Sequence, residues 1–147
     1  EIGAKIGSLS VTEPPVVSLD TEVVRKGDEE SSMLLIGGVL TNTISRKFNR
    51  QFPASFEGEN FPYRALETRE NDYTDARIGV VQKTDHPETG ETVLQVAGIQ
   101  SQGTYAAVRA FHDIEDLVGR ETEYVVVKGK DMTGDGKIDD YEEVEKR

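Results

Sequence analysis

The sequence predicts an α/β fold, a mixed β-sheet with at least two helices packed on it and a loop-bearing segment at its C-terminal end. Three observations carry this. First, the apolar run "SSMLLIGG" (31–38) closes on two glycines and leads into "VLTNTISRKFNRQF", where Leu40, Ile44, Phe48 and Phe52 recur every four residues. A strand, a glycine turn and a one-faced helix form the opening half of an α/β unit. Second, "ARIGVVQKT" and "ETVLQVAG" flank the Pro- and Gly-bearing turn "DHPETG". This hairpin supplies an antiparallel pair, so the sheet is mixed. Third, "YAAVRAFHDIEDLVG" repeats Ala107, Val108, Phe111, Ile114, Leu117 and Val118 at threes and fours, the spacing of a helix face.

The remaining elements follow in chain order. Residues 1–13 are expected to be an extended arm, because Pro14-Pro15 breaks any helix and "IGSLSV" alternates as an edge strand does. The arm is expected to pair with this domain or with a neighbouring subunit. "PVVSLDTEV" (15–23) reads as a strand and "RKGDEE" as the turn after it. "PASFEGENFPYRALETRENDYTD" reads as irregular surface structure pinned by its aromatics. Thr104 is expected to cap the long helix and Gly119 to stop it. "TEYVVVKG" reads as the last strand.

Composition narrows the function classes. The 147 residues suffice for one domain with a core. The formal net charge of −11 repels phosphate backbones and argues against nucleic acid as a partner. There is no cysteine, which excludes disulfides, thiolate zinc sites and cysteine nucleophiles. The longest apolar stretches, "MLLIGGVL" and "YVVV", are too short to span a bilayer.

The strongest chemical signal is "DMTGDGKIDDYE" (131–142). A hard divalent cation such as Ca2+ takes six to eight oxygens, and the known twelve-residue loop supplies them from positions 1, 3, 5, 7, 9 and 12. Those positions are Asp131, Thr133, Asp135, Lys137 (through its backbone carbonyl), Asp139 and Glu142. Position 6 must turn sharply and is Gly136; position 8 anchors the loop and is Ile138. Thr133 departs from the usual Asp or Asn and brings no charge. Five acids and one lysine share the loop, and without a cation the carboxylates repel one another. A strand pattern precedes the loop, and "YEEVEKR" after it is read as a short helix. The loop is therefore expected to clamp structure, since a sensor needs a groove between paired helices. The expected organisation is an arm at 1–14, an α/β domain at 15–128, and the calcium loop with its short helix at 129–147.

Catalytic constellations are weak. His86 falls in the hairpin turn and His112 on the long helix, without metal-ligand spacing. No serine has a G-x-S-x-G context, and "GGVLTN" lacks the third glycine of a dinucleotide fingerprint. The Gly37-Gly38 turn suits close strand–helix packing, with anion binding at the exposed helix amides as the alternative. Asp20 and Glu22 are two acids at strand spacing. No enzymatic activity is expected.

Four motifs in order carry a resemblance. "PPVVSLDTEV", "MLLIGGVLTNTI", "RIGVVQKT" and "TGETVLQVAGIQSQGTYAAVRAF" resemble the domain of archaeal S-layer proteins of the Thermococcales and methanogen type, over roughly residues 15–128. Asp20, Thr21, Glu22, Gly37, Gly38, Asn42, Gly79, Ala97, Gly98, Thr104 and Ala107 stand at matching places. Val39 replaces the usual proline, and Gly103 replaces an acidic residue. The resemblance implies a non-catalytic, extracellular structural module of the cell surface. Its partners would be copies of itself or neighbouring surface domains, in a lattice or filament, and calcium stabilisation agrees with that setting. The alternative is a glycan- or cell-wall-binding module that stacks sugars on Phe52, Phe56, Phe61, Tyr63 and Tyr73.

Overall fold

A computed structural model describes residues 16–58, 65–113 and 122–147. Along the described chain come α1 (Asp20–Lys26), a 3₁₀ turn (Asp28–Glu30), β1 (Met33–Ile36), α2 (Thr43–Phe48), β2 (Ser55–Glu57), β3 (Ala65–Glu67) and β4 (Asp72–Tyr73). Then follow β5 (Ile78–Asp85), β6 (Thr92–Gly98), α3 (Ser101–Asp113), β7 (Tyr124–Lys130) and β8 (Asp140–Lys146). Five strands form one sheet in the order β1-β6-β5-β7-β8, and β2-β3-β4 form a second, antiparallel sheet. Among the described residues only β1 and β6 pair in parallel; β6–β5, β5–β7 and β7–β8 are antiparallel. The α/β class with a mixed sheet is as the sequence predicts.

Strand alternation divides the core into two faces. Val81, Val96, Val125 and Val127 meet α3 through Ala106, Ala107, Ala110 and Phe111. Val80, Ala97 and Val126 face the other way, against Phe56 and Leu66 of the second sheet. Beside that second layer, Leu35 and Val93 pack on Ile44, Phe48 and Phe52, with Val23 of α1 joining them. The central strands are thus covered on both faces, which is why "IGVVQ" reads as a continuous apolar run. Where Gln82 and Gln95 interrupt the apolar pattern they face each other in register. Gln82 Nε2 donates to Gln95 Oε1 (2.8 Å) and to the Ala54 carbonyl (2.9 Å), and its Oε1 accepts from the Ala54 N–H (3.0 Å), so Gln82 is satisfied, whereas the buried Gln95 Nε2 has no hydrogen-bond partner among the described residues.

Several expectations are corrected. "SLDTEV" is a helix, not a strand: Asp20–Lys26 is α-helical, the Glu22 carboxylate accepts from the Leu19 N–H (3.3 Å), and Gly27 ends it at φ 74°. The aromatic segment is not irregular, since its described parts build the second sheet. Phe56 and Leu66 leave 2% and 0% of their surface exposed, enough burial to order three-residue strands. α3 begins at Ser101, so Thr104 lies inside it and bonds back to the Gln100 carbonyl instead of capping. β7 is not the last strand. Residues after the loop form strand β8, not a short helix, and extend the same sheet. Leu35 is buried as the apolar run suggests, but among the described residues β1 stands at the edge of the five-stranded sheet. The arm at residues 1–13, Phe61, Tyr63, Ile114, Leu117, Val118 and Gly119 lie outside the described residues.

Candidate metal centre

The loop between β7 and β8 is closed at its base by the Asp139 N–H donating to the Lys130 carbonyl (2.9 Å). Two glycines turn it, Gly134 at φ 78° and Gly136 at φ 83°, the left-handed region that glycine enters without steric cost. Ile138 anchors it. It is 6% exposed and packs in the α3 cluster, directly over Gly129, where a Cβ would lie 2.9 Å from its Cδ1. Gln102 of α3 donates to the Gly136 carbonyl (3.3 Å), a second tie between helix and loop.

This frame brings Asp131, Asp135 and Asp139 together, one carboxylate oxygen from each within 4.8 Å of the others. Calcium–oxygen distances of about 2.3–2.6 Å allow opposed ligands roughly that far apart, so the triad fits the ion in size and chemistry. Asp131 is set in place by the loop's own backbone: its Oδ2 accepts from the Gly136 N–H (2.8 Å) and its Oδ1 from those of Gly134 (2.6 Å) and Thr133 (3.2 Å). These bonds, the Gly136 amide foremost, hold its pKa below the usual carboxylate value. Thr133 Oγ1 donates to Asp139 Oδ2 (3.2 Å), so the hydroxyl belongs to the same cluster. Lys137 is exposed, with Nζ 3.6 Å from Asp135. Glu142 stands apart from the triad: it lies on β8 and pairs with Lys130 Nζ at 3.1 Å. A strand exit, where the loop pattern expects a helix, sets its register opposite Lys128.

One cluster escaped the sequence reading. Glu145 on β8 accepts from Thr68 Oγ1 (3.1 Å), Asn71 Nδ2 (2.9 Å) and Tyr73 Oη (2.8 Å) through Oε2, and from Tyr124 Oη through Oε1. These bonds stitch the β3–β4 turn to β7 and β8. Burial pushes the Glu145 carboxyl up, but its hydrogen bonds outweigh that and leave it below the ordinary value. Burial and then the Glu145 hydrogen bond raise the Tyr124 hydroxyl to about 12 and raise Tyr73 as well. An inward-turning acid among exposed neighbours of alternating sequence was the available signal.

The model of the S-layer like family, outer domain, matches residues 4–115. The chain belongs to this family. No curated protein and no solved structure matches the chain. S-layer membership makes the protein a structural, cell-surface kind of protein, and the chemistry of its motif residues is consistent with that. No helix among the described residues is long and apolar enough to cross a membrane.

The S-layer motif residues are engaged in capping and close packing. Asp20 Oδ2 accepts from both the Thr43 N–H and its hydroxyl (2.7 Å each), while Asn42 Oδ1 accepts from the Ile44 and Ser45 amides (3.0 Å each). The first amides of α2 are therefore filled from within, which removes the anion-binding alternative for the Gly37-Gly38 turn. Asp20 and Glu22 sit two apart on a helix, on different faces, each holding a backbone amide, so they form no acid pair. The second motif group is a seam. A Cβ on Gly79 would lie 2.1 Å from the Gly103 carbonyl oxygen, on Gly98 2.1 Å from the Thr104 nitrogen, and on Gly103 1.9 Å from the Ile78 carbonyl oxygen. Each glycine is needed for α3 to lie directly on β5 and β6.

A groove of about 370 Å³ opens beside this seam, with Leu40, Thr41, Tyr105 and Val108 among its lining; among the described residues Tyr105 is its one titratable side chain. His86 is 6% exposed, its ring 5.3 Å from that of Phe48, and its Nδ1 accepts from the Glu88 and Thr89 amides, so it organises the hairpin turn. His112 is exposed beside Asp113. Phe52 and Phe56 are 5% and 2% exposed, which withdraws them from any sugar-stacking surface.

Proposed function

We propose that the protein is a calcium-stabilised, extracellular assembly module of an archaeal surface layer, non-enzymatic and acting through contacts with its own copies or neighbouring surface domains. Membership of the S-layer like family supports the structural setting, and the archaeal assignment comes from the ordered motifs. The observation that carries the calcium half is the convergence of Asp131, Asp135 and Asp139 on one point within 4.8 Å, in a loop whose glycines and Ile138 fix its path.

In this reading Asp131, Asp135 and Asp139 are the charged ligands. The Thr133 hydroxyl and the Lys137 carbonyl add neutral oxygens, and Glu142 joins by leaving Lys130. A cation would neutralise the repulsion among the three carboxylates and lock the β7–β8 connection. With strands on both sides and no paired helices to open, the loop stiffens the exit of the sheet and does not switch it.

Scanning calorimetry with millimolar calcium and with EDTA tests this. The melting temperature rises with calcium in a concentration-dependent way, by about 2.7 kcal/mol of stabilisation when calcium is a hundredfold over its dissociation constant. An unchanged melt together with no heat of calcium binding at millimolar concentration would show the metal assignment to be wrong.

A further inference from the structure

Charge of opposite sign gathers at two ends of the molecule. The chain as a whole holds 28 acids against 17 bases. Yet "RKFNR" (46–50) places Arg46, Lys47 and Arg50 in one short stretch with no acid between them. All three are exposed, and with Phe56 and Glu57 they line a groove of about 290 Å³ between the end of α2 and β2. Even counting Glu57, and Glu29 which pairs with Lys47, the balance here is positive, against −11 for the chain.

The groove is held in shape by its own bonds. Asn49 ties the two walls together: its Nδ2 donates to the Phe56 carbonyl and its Oδ1 accepts from the Phe56 N–H (2.9 Å each). Arg46 Nε donates to the Val39 carbonyl (2.8 Å), which fixes that guanidinium in place. Cations presented on a fixed frame lose little freedom when they meet a partner.

β8 carries the opposite charge. Asp140, Glu142 and Glu143 are exposed along it, while Glu145 turns inward. Glu142 is engaged by Lys130, so Asp140 and Glu143 are the acids presented outward. The two patches lie far apart in one chain. α2 packs on Leu35 of β1 and Val93 of β6, whereas β8 is the fifth strand counted from β1. Four strand spacings amount to about 19 Å, too far for the two sets of side chains to meet within one copy.

We propose that the basic α2 groove of one copy docks the acidic β8 face of the next. The inference rests on the assembly reading above and names its contact. Because the two patches differ, the contact is heterologous. Each copy offers its groove to one neighbour and its acidic strand to another, which builds rows or rings and not a two-fold dimer. Charges on such surfaces steer encounter and set register, and salt screens them.

Sedimentation velocity on the full-length chain, at constant millimolar calcium, tests this. The two variants are Lys47→Glu/Arg50→Glu and Asp140→Lys/Glu143→Lys, neither of which alters a residue of the calcium loop's ligand set. The parent is expected to associate at low salt and at least ~10-fold more weakly at high salt. Each variant alone should associate at least ~10-fold more weakly than the parent, and an equimolar mixture should recover association, because each supplies the surface that the other has lost. Recovery also shows both variants to be folded. Should a reversal prevent folding, Arg50→Gln and Glu143→Gln, which only neutralise, should each weaken association about 2- to 5-fold. Association equal to the parent's in the reversed or neutralised variants would overturn this contact and leave assembly to another surface. A mixture of folded variants no better associated than its components would overturn it too. A parent that stays single at every salt concentration would overturn it together with the assembly reading, and leave the groove to an acidic partner other than this chain.

Discussion

Replacing Glu145 with glutamine removes one charge from the cluster that ties β8 to the second sheet while keeping its volume. In the parent chain four neutral donors converge on the carboxylate, and one of them, Tyr124, has no exposed surface. Hydrogen bonds to a charged acceptor contribute about 1.5–3 kcal/mol each and neutral ones about 0.5–1.5 kcal/mol. The amide retains one acceptor oxygen and turns its N–H2 toward donors, of which the Thr68 and Tyr73 hydroxyls can reorient. Discounted for the partial exposure of the site, the loss is about 2 kcal/mol, or roughly 6–8 °C in melting temperature for a chain of this size.

The pH dependence follows with it. Glu145 has a lowered folded-state pKa, so its contribution is present above the usual glutamate value of 4.5 and fades as pH falls through the lowered one. Tyr124 is raised to about 12, so its contribution is full below the ordinary tyrosine value of 10.0 and fades as pH rises toward 12. Thermal melts between pH 3 and 7 and a tyrosinate absorbance titration read both effects. The variant should show a flatter acid limb and an earlier titration of Tyr73 and Tyr124. A melt within a degree of the parent, with phenol titration unchanged, would refute the tie.

Other outcomes are equally direct. Gly103→Ala drives a Cβ to 1.9 Å from the Ile78 carbonyl oxygen, so α3 must lift from the sheet; overpacking of about 1–3 kcal/mol should exceed the ~1 kcal/mol helix gain of alanine, and denaturant melts should show a net loss. Asp20→Ala frees the Thr43 amide and hydroxyl, and should lower the melting temperature by less than the Glu145 change. Asp20 has a lowered pKa, chiefly through the Thr43 amide, so the parent–variant gap should close as pH falls through that value.

The sequence was most legible where periodicity was long and undisturbed. The β5–β6 hairpin appears where its spacing places it, and the central strands read as apolar runs because both faces are covered; of the fourfold apolar face only Ile44 and Phe48 lie on a helix, since α2 spans Thr43–Phe48 and leaves Leu40 in the turn before it and Phe52 beyond its end, packed in the same cluster as Ile44 and Phe48. Residues 15–23 misled because Val16, Val17 and Leu19 suggest a strand, whereas the Leu19–Glu22 pairing and Gly27 are helix start and stop signals. The tail "DYEEVEK" has a helix-former's composition, but tertiary contacts decide it: the ladder to β7 and the Glu145 cluster hold it as a strand.

The same substitution of strand for helix explains what was hidden in the candidate site. Asp131, Asp135 and Asp139 could be named from spacing alone, because a tight glycine loop brings alternate positions inward. Glu142 could not be placed so, since its position depends on the register of the exit strand, which sets it against Lys130. The short strands of the second sheet were illegible because three residues carry too little pattern.

The central claim is that this S-layer family domain assembles with calcium. Electron microscopy of the purified chain at high concentration, with millimolar calcium and in parallel with chelator, tests it most directly. Ordered sheets or filaments with calcium, dispersing in chelator, are the expected result. Uniform single particles under both conditions would contradict it.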